Sequence, residues 1–214
     1  MEFFGIDLIE FIKAAGYAGL FAIVFAESGL FIGFFLPGDS LLFTAGFLAS
    51  QGFLDIWLLF GITFLGAVLG DTVGYAFGAR VGPKLFIKED SLFFHKDHLE
   101  RSRLFYERHG GKTIILARFM PIVRTFAPIL AGVGRMHYLT FIAFNLIGAF
   151  LWSIGITLLG YFLGRTIPGI DQYLLPIIVF IIFLSILPGI IHVIKNKEHR
   201  EHLKKSLLRL LKKV

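Results

Sequence analysis

Residues 113–135, T-I-I-L-A-R-F-M-P-I-V-R-T-F-A-P-I-L-A-G-V-G-R, make two demands that conflict in an ordinary fold. The stretch is apolar enough to enter a bilayer, yet it holds Arg118 and Arg124 together with Pro121 and Pro128. An arginine at the centre of a membrane helix costs about 2.5–3.5 kcal/mol on insertion scales, so such residues face protein or a water-filled cavity. Proline removes a backbone donor, and backbone groups freed at membrane depth must be satisfied by protein or water. Residues 113–134 therefore read as a broken, re-entrant segment that carries two positive charges into the membrane. The alternative is a kinked span whose arginines snorkel to the interface.

The rest of the chain agrees with a membrane solvent. Of its 214 residues, 56% are hydrophobic and 26 are phenylalanine, and the mean hydropathy is +0.78, which excludes a typical soluble domain. The absence of cysteine rules out disulfides and thiolate metal sites. Glu2, Asp7 and Glu10 stand where a signal peptide would carry a basic n-region. A net charge of +6 suggests nucleic acid only until its distribution is seen: after Lys13 no basic residue occurs before Arg80, and most of the rest cluster in residues 80–112 and 195–214. That asymmetry reports topology and places both blocks on the cytoplasmic side, with no nucleic-acid partner implied.

In chain order, residues 1–15 form an amphipathic interfacial helix around Phe4, Leu8, Phe11 and Ile12, too short to cross roughly 30 Å of hydrocarbon. The apolar runs 16–36 and 40–49 flank Leu36-Pro37-Gly38-Asp39 and read as the two arms of a hairpin. Residues 54–79 can cross the membrane, and their glycines at 61, 66, 70, 74 and 78 admit close helix neighbours. Residues 80–112 read as a charged cytoplasmic helix ending at Gly110 and Gly111. Two further spans, 138–164 and 172–194, precede a basic amphipathic tail, 196–214, suited to an anionic leaflet. With both basic blocks cytoplasmic, residues 113–134 must begin and end on that side, and the hairpin 17–49 enters from the other. Gly74-Tyr75-Ala76-Phe77-Gly78 is echoed by Gly160-Tyr161-Phe162-Leu163-Gly164. The expected fold is thus an all-α polytopic membrane protein, an inverted repeat of two opposed re-entrant hairpins plus transmembrane helices.

If the hairpins meet near the midplane, Glu27 and Asp39 share one buried polar site with Arg118 and Arg124, and opposite charges offset each other's desolvation. The arginines offer planar, permanently charged forks suited to a phosphate group. The acids are the proton-coupling groups: protonating one frees its arginine for substrate, and deprotonation restores the pair. Asp71, Asn145, Pro37 and Pro121 are further candidates for the site; Trp152 could also line it, although a tryptophan in a membrane helix is more often packing or an interfacial anchor. The competing account is that these charges only fix hairpin packing. His95 and His98 in the charged segment read as a solvated face rather than a metal site, so no metal or cofactor is expected. No residue set suggests hydrolysis, and the chain reads as a transporter rather than an enzyme.

The runs E-S-G-L-F-I-G-F-F-L-P-G-D (27–39), G-D-T-V-G-Y-A-F-G (70–78) and R-F-M-P-I-V-R-T-F-A-P-I-L-A-G (118–132) together resemble the DedA family, whose SNARE-associated or VTT domain is shared with eukaryotic lipid scramblases. The resemblance spans residues 15–195 and assigns 1–195 to the membrane domain. It implies a flippase for undecaprenyl phosphate in the cytoplasmic membrane, tied to the proton motive force. The family's essential acids fall on Glu27 and Asp39, and its essential arginines on Arg118 and Arg124. The alternatives are a proton or small-ion antiporter, which would not need two arginines, a phospholipid scramblase, or a structural membrane protein. The implied partners are a lipid with a phosphate headgroup, anionic lipids at the tail and a second copy in a homodimer.

Overall fold

A computed structural model describes residues 2–3, 6–30, 36–85, 104, 110–167, 176, 177 and 180. Within them the chain is helical apart from a short antiparallel pairing of Glu2–Phe3 with Ile6–Asp7. The helices are α1 (Leu8–Gly29), α2 (Gly38–Ser50), α3 (Ile56–Leu85), α4 (Lys112–Ala117), α5 (Pro121–Val133), α6 (Tyr138–Ala149) and α7 (Gly155–Thr166). A five-residue π turn, Phe150–Ile154, joins α6 to α7 as one continuous rod. Among the described residues three stretches are long and apolar enough to cross a membrane: Phe11–Gly29, Ile56–Gly82 and Tyr138–Thr166.

Several boundaries differ from the sequence expectation. The interfacial helix expected over 1–15 begins only at Leu8, after the Glu2–Phe3 and Ile6–Asp7 pairing, and the break expected between it and the first apolar arm is present inside α1 as a kink at Gly16, where φ is 56° and ψ −158°. Glycine adopts that backbone without strain. The arm expected over 16–36 stops at Gly29, and the span expected over 54–79 runs on to Leu85. Pro128 lies inside α5 without ending it, and the break falls instead at residues 118–120. Met120 is extended, as a residue before proline prefers, and Pro121 opens α5 at a position whose N–H would have had no partner. Most of the charged segment 80–112, nearly all of the span 172–194 and the tail 196–214 lie outside the described residues.

The core surrounds α2, whose residues are buried on every side except at Asp39 and Ser50. A short helix with no solvated face has to be enclosed by others. Leu41, Phe43, Ala45 and Phe47 join Ile12 and Leu20 of α1 and Leu59 of α3 in the largest apolar cluster. Helix contacts then follow a crossed pattern: α1 lies on α3, α2 on α7, and α5 on α3.

Glycine makes the last two contacts possible. On the α2–α7 joint, a Cβ at Gly160 would collide with the carbonyl oxygen of Phe43, and one at Gly46 with that of Thr157. On the α5–α3 joint, Gly78 stands in the same way against the carbonyl of Ile129, and Gly132 against that of Tyr75. Along α3, Gly66 and Gly70 meet α1 at Phe21 and Phe25, whereas Gly78 and Gly82 meet α5 at Ile129 and Val133. α1 therefore covers the N-terminal half of α3, and α5 covers its C-terminal half. The two coverings meet at Gly74, which has both Pro128 of α5 and the Gly29 carbonyl at the end of α1 as neighbours.

Candidate functional site

Each hairpin delivers its charges at its turn. Glu27 lies in the last turn of α1 and Asp39 in the first turn of α2, with Pro37 as the residue capping α2. The Gly38 N–H donates to Glu27 Oε1 over 3.2 Å, so the carboxylate faces the donor end of α2. No side chain fits at Gly38, because a Cβ there would overlap the Glu27 carboxyl. In the second hairpin, Arg118 follows the last residue of α4, and Arg124 sits in the first turn of α5, its N–H donating to the Met120 carbonyl over 2.8 Å.

The structure brings Arg124 to both acids of the first hairpin. Its Nη1 donates to Asp39 Oδ1 at 2.8 Å and its Nη2 to Glu27 Oε1. Arg118 does not join them. Its Nη2 donates to Asp71 Oδ2 at 2.5 Å, to Asn145 Oδ1 at 2.5 Å and to the Ala67 carbonyl at 3.3 Å. The four-charge cluster expected from the sequence is thus two ion-pair sets, with Asp71 in the place that Glu27 or Asp39 was expected to fill. Arg118 and Arg124 are only six positions apart, but the break at 118–120 points them at different neighbours. Arg124 reaches across to the first hairpin, and Arg118 reaches α3 and α6.

Burial makes these contacts consequential. Glu27, Asp71, Arg118 and Arg124 are each no more than 5% exposed, so their pairing is barely screened. Asn145 is fixed by its own Nδ2–H donating to the Val68 carbonyl over 3.2 Å. Trp152, for which the sequence left open lining the site or packing, is buried and has a polar role: its Nε1–H donates to Asp39 Oδ1 at 2.8 Å. The Arg124 guanidinium stands 4.7 Å from the centre of the Trp152 ring, within range of a cation–π contact. Gly148 was not singled out by sequence reasoning, yet a Cβ there would stand 3.1 Å from Arg118 Cδ, so its small size makes room for the arginine stem. Pro121 positions α5, and with it Arg124, rather than touching the charges through any backbone donor. Among the described residues no group of three or more histidine, cysteine or acidic side chains could hold a metal ion. His95 and His98 lie outside them.

Comparison with known proteins settles the lineage. The VTT domain model matches residues 36–162, which include Asp39, Asp71, Arg118, Arg124, Asn145 and Trp152. The chain belongs to the VTT-domain, or DedA, family. Protein DedA of Escherichia coli K12 is 49% identical over 197 residues, covering 90% of both chains. An uncharacterized membrane protein of Mycobacterium leprae is 47% identical over 181 residues, covering 85% of this chain and 81% of its own. The inner membrane protein YghB of Escherichia coli K12 is 32% identical over 170 residues, covering 79% of this chain and 77% of its own. No solved structure matches. Family membership and three helices of spanning length together make this a multi-pass membrane protein of the VTT type.

Proposed function

We propose that this VTT-domain protein moves undecaprenyl phosphate, or a related anionic lipid, between the leaflets of the cytoplasmic membrane, coupled to protons. The observation that carries the reading is the buried meeting of Arg124 with Glu27 and Asp39 at the apposed hairpin turns. Replacing a buried ion pair with apolar residues is often neutral or stabilising, so packing alone gives little reason to place these charges here. An anion-handling site does give one. Two arginines that are always charged can exchange a carboxylate for a phosphate, and two carboxyls can take up the protons that release them.

The architecture supports the same account. α2 and α5 have 13 residues each, about 20 Å at 1.5 Å per residue, which is short of a full crossing. We read them as the returning arms of two re-entrant hairpins that enter from opposite faces, with the crossed glycine joints as the signature of an inverted repeat. In such folds the site lies where the repeats meet, which here is the charged pair of turns. The cycle follows: protonation of Glu27 or Asp39 loosens Arg124, the turns part, the headgroup enters, and deprotonation closes the pair behind it.

The test is leaflet transfer of labelled undecaprenyl phosphate in proteoliposomes, with and without a pH gradient. Transfer should depend on the gradient and fall at least about tenfold with either Arg118→Lys or Arg124→Lys, because lysine keeps the charge but loses the planar fork. Unchanged transfer by folded variants would remove the headgroup role of the arginines. Transfer indifferent to the gradient would identify a scramblase instead.

A further inference from the structure

The two guanidiniums differ in what they have left to offer. Arg124 commits Nη1 to Asp39 and Nη2 to Glu27, and only its Nε lacks an acceptor. Arg118 gathers all three of its acceptors on Nη2, so both its Nε and its Nη1 are buried without one. A charged group 2% exposed, with two donors that no protein acceptor meets, is an arrangement folded proteins answer with an ordered water, an ion or a ligand. Donors on a fixed guanidinium match the oxygens of a phosphate monoester, which accepts several charge-assisted hydrogen bonds at once.

The anchoring differs as well. Arg118 is held by α3 through Asp71 and the Ala67 carbonyl, and by α6 through Asn145. Arg124 bridges the two hairpin turns, and both of its acids belong to the first hairpin. Parting the turns therefore breaks the Arg124 contacts and leaves those of Arg118 intact. Trp152 lines both groups, with its ring centre 5.9 Å from the Arg118 guanidinium and 4.7 Å from that of Arg124.

We infer that Arg118 is the seat of the lipid's phosphate monoester, prepared by Asp71 and Asn145, and that Arg124 is the latch that opens and closes the way to it. The inference rests on the transport reading above and assigns separate tasks to arginines which that reading treats together. Asp71 and Asn145 are positioning residues in this scheme: they consume Nη2 and turn the rest of the guanidinium toward the ligand.

Trp152 supplies the readout. The chain has two tryptophans, and Trp57 is 77% exposed, so Trp57→Phe leaves Trp152 as the single indole. The full-length Trp57→Phe protein in phosphatidylcholine nanodiscs is titrated with dodecyl phosphate, with inorganic phosphate and with dodecanol, and Trp152 emission is followed. Dodecyl phosphate should give a saturable change that dodecanol does not. Arg118→Lys should weaken that binding at least about tenfold, and Arg124→Lys less than about threefold while still abolishing transfer in proteoliposomes. Equal losses, or a larger loss with Arg124→Lys, overturn the division of roles and leave the transport reading standing. No saturable binding by the protein with both arginines intact overturns both. Inorganic phosphate binding as tightly as dodecyl phosphate overturns the assignment to a lipid headgroup. If Arg118→Lys does not remain monodisperse, the charge-neutral pair Arg118→Gln with Asp71→Asn carries the same expectation.

Discussion

Where α2 lies on α7 and α5 lies on α3, each helix sets a glycine against a backbone carbonyl of the other; where the hairpin turns meet, one brings carboxylates and the other guanidiniums. At both joints the accepting carbonyl lies three residues before the glycine on the same helix: Phe43 before Gly46, Thr157 before Gly160, Tyr75 before Gly78 and Ile129 before Gly132. The joints repeat because backbone-to-backbone packing asks only for the absence of a side chain. The turns need not repeat, since what they carry is chemistry rather than scaffold. The same packing device can thus serve two joints while the turns carry opposite charge.

Four substitutions sharpen or break that contrast, from the largest effect to the smallest. Arg124→Leu should cost about 3–5 kcal/mol, because it leaves Glu27 and Asp39 close together and buried without their cation. Unfolding in a detergent titration measures it, and a loss comparable to that of the joint variants would show that the turns are no more demanding than the scaffold. Gly160→Ala and Gly78→Ala should each cost about 1–3 kcal/mol, since the new methyl meets a backbone carbonyl that cannot swing aside. The two values should agree; a tolerated change at one joint with collapse at the other would end the equivalence of the joints. Trp152→Phe keeps an aromatic face for Arg124 and removes the hydrogen bond to Asp39. Interhelical hydrogen bonds in membranes average about 0.6 kcal/mol and reach about 1.7, so a small drop in melting temperature is expected.

The charged turns were legible in the sequence because a charge in an apolar stretch is expensive and therefore conspicuous. Glu27, Asp39 and Arg124 stand out on that ground, and the structure puts them in contact. Which acid belongs to Arg118 was not legible, since pairing depends on where the chain breaks after Ala117, and the prolines alone suggested breaks at two places. Pro128 sits within α5 because a helix enclosed by neighbours tolerates one missing donor. Trp152 was left between lining the site and packing or an interface, because the frequency of tryptophan at membrane surfaces says nothing of a single buried indole. The glycines of α3 were read as close-contact positions, but Gly46, Gly132 and Gly148 carry no pattern of their own and become meaningful only once their neighbours are known.

The π turn at Phe150–Ile154 has a consequence for how this helix can vary. Upstream, Phe141, Asn145, Gly148 and Trp152 form the inward stripe; downstream it continues as Ser153, Thr157 and Gly160, displaced by one position. That extra residue lets a single rod aim Asn145 and Trp152 at the arginines and Gly160 at Phe43. Deleting one amino acid there would rotate everything beyond it by about 100°. Every side chain beyond the deletion would be retained, yet both sites could not be served at once, which makes this five-residue stretch intolerant of changes in length even where it accepts changes in identity.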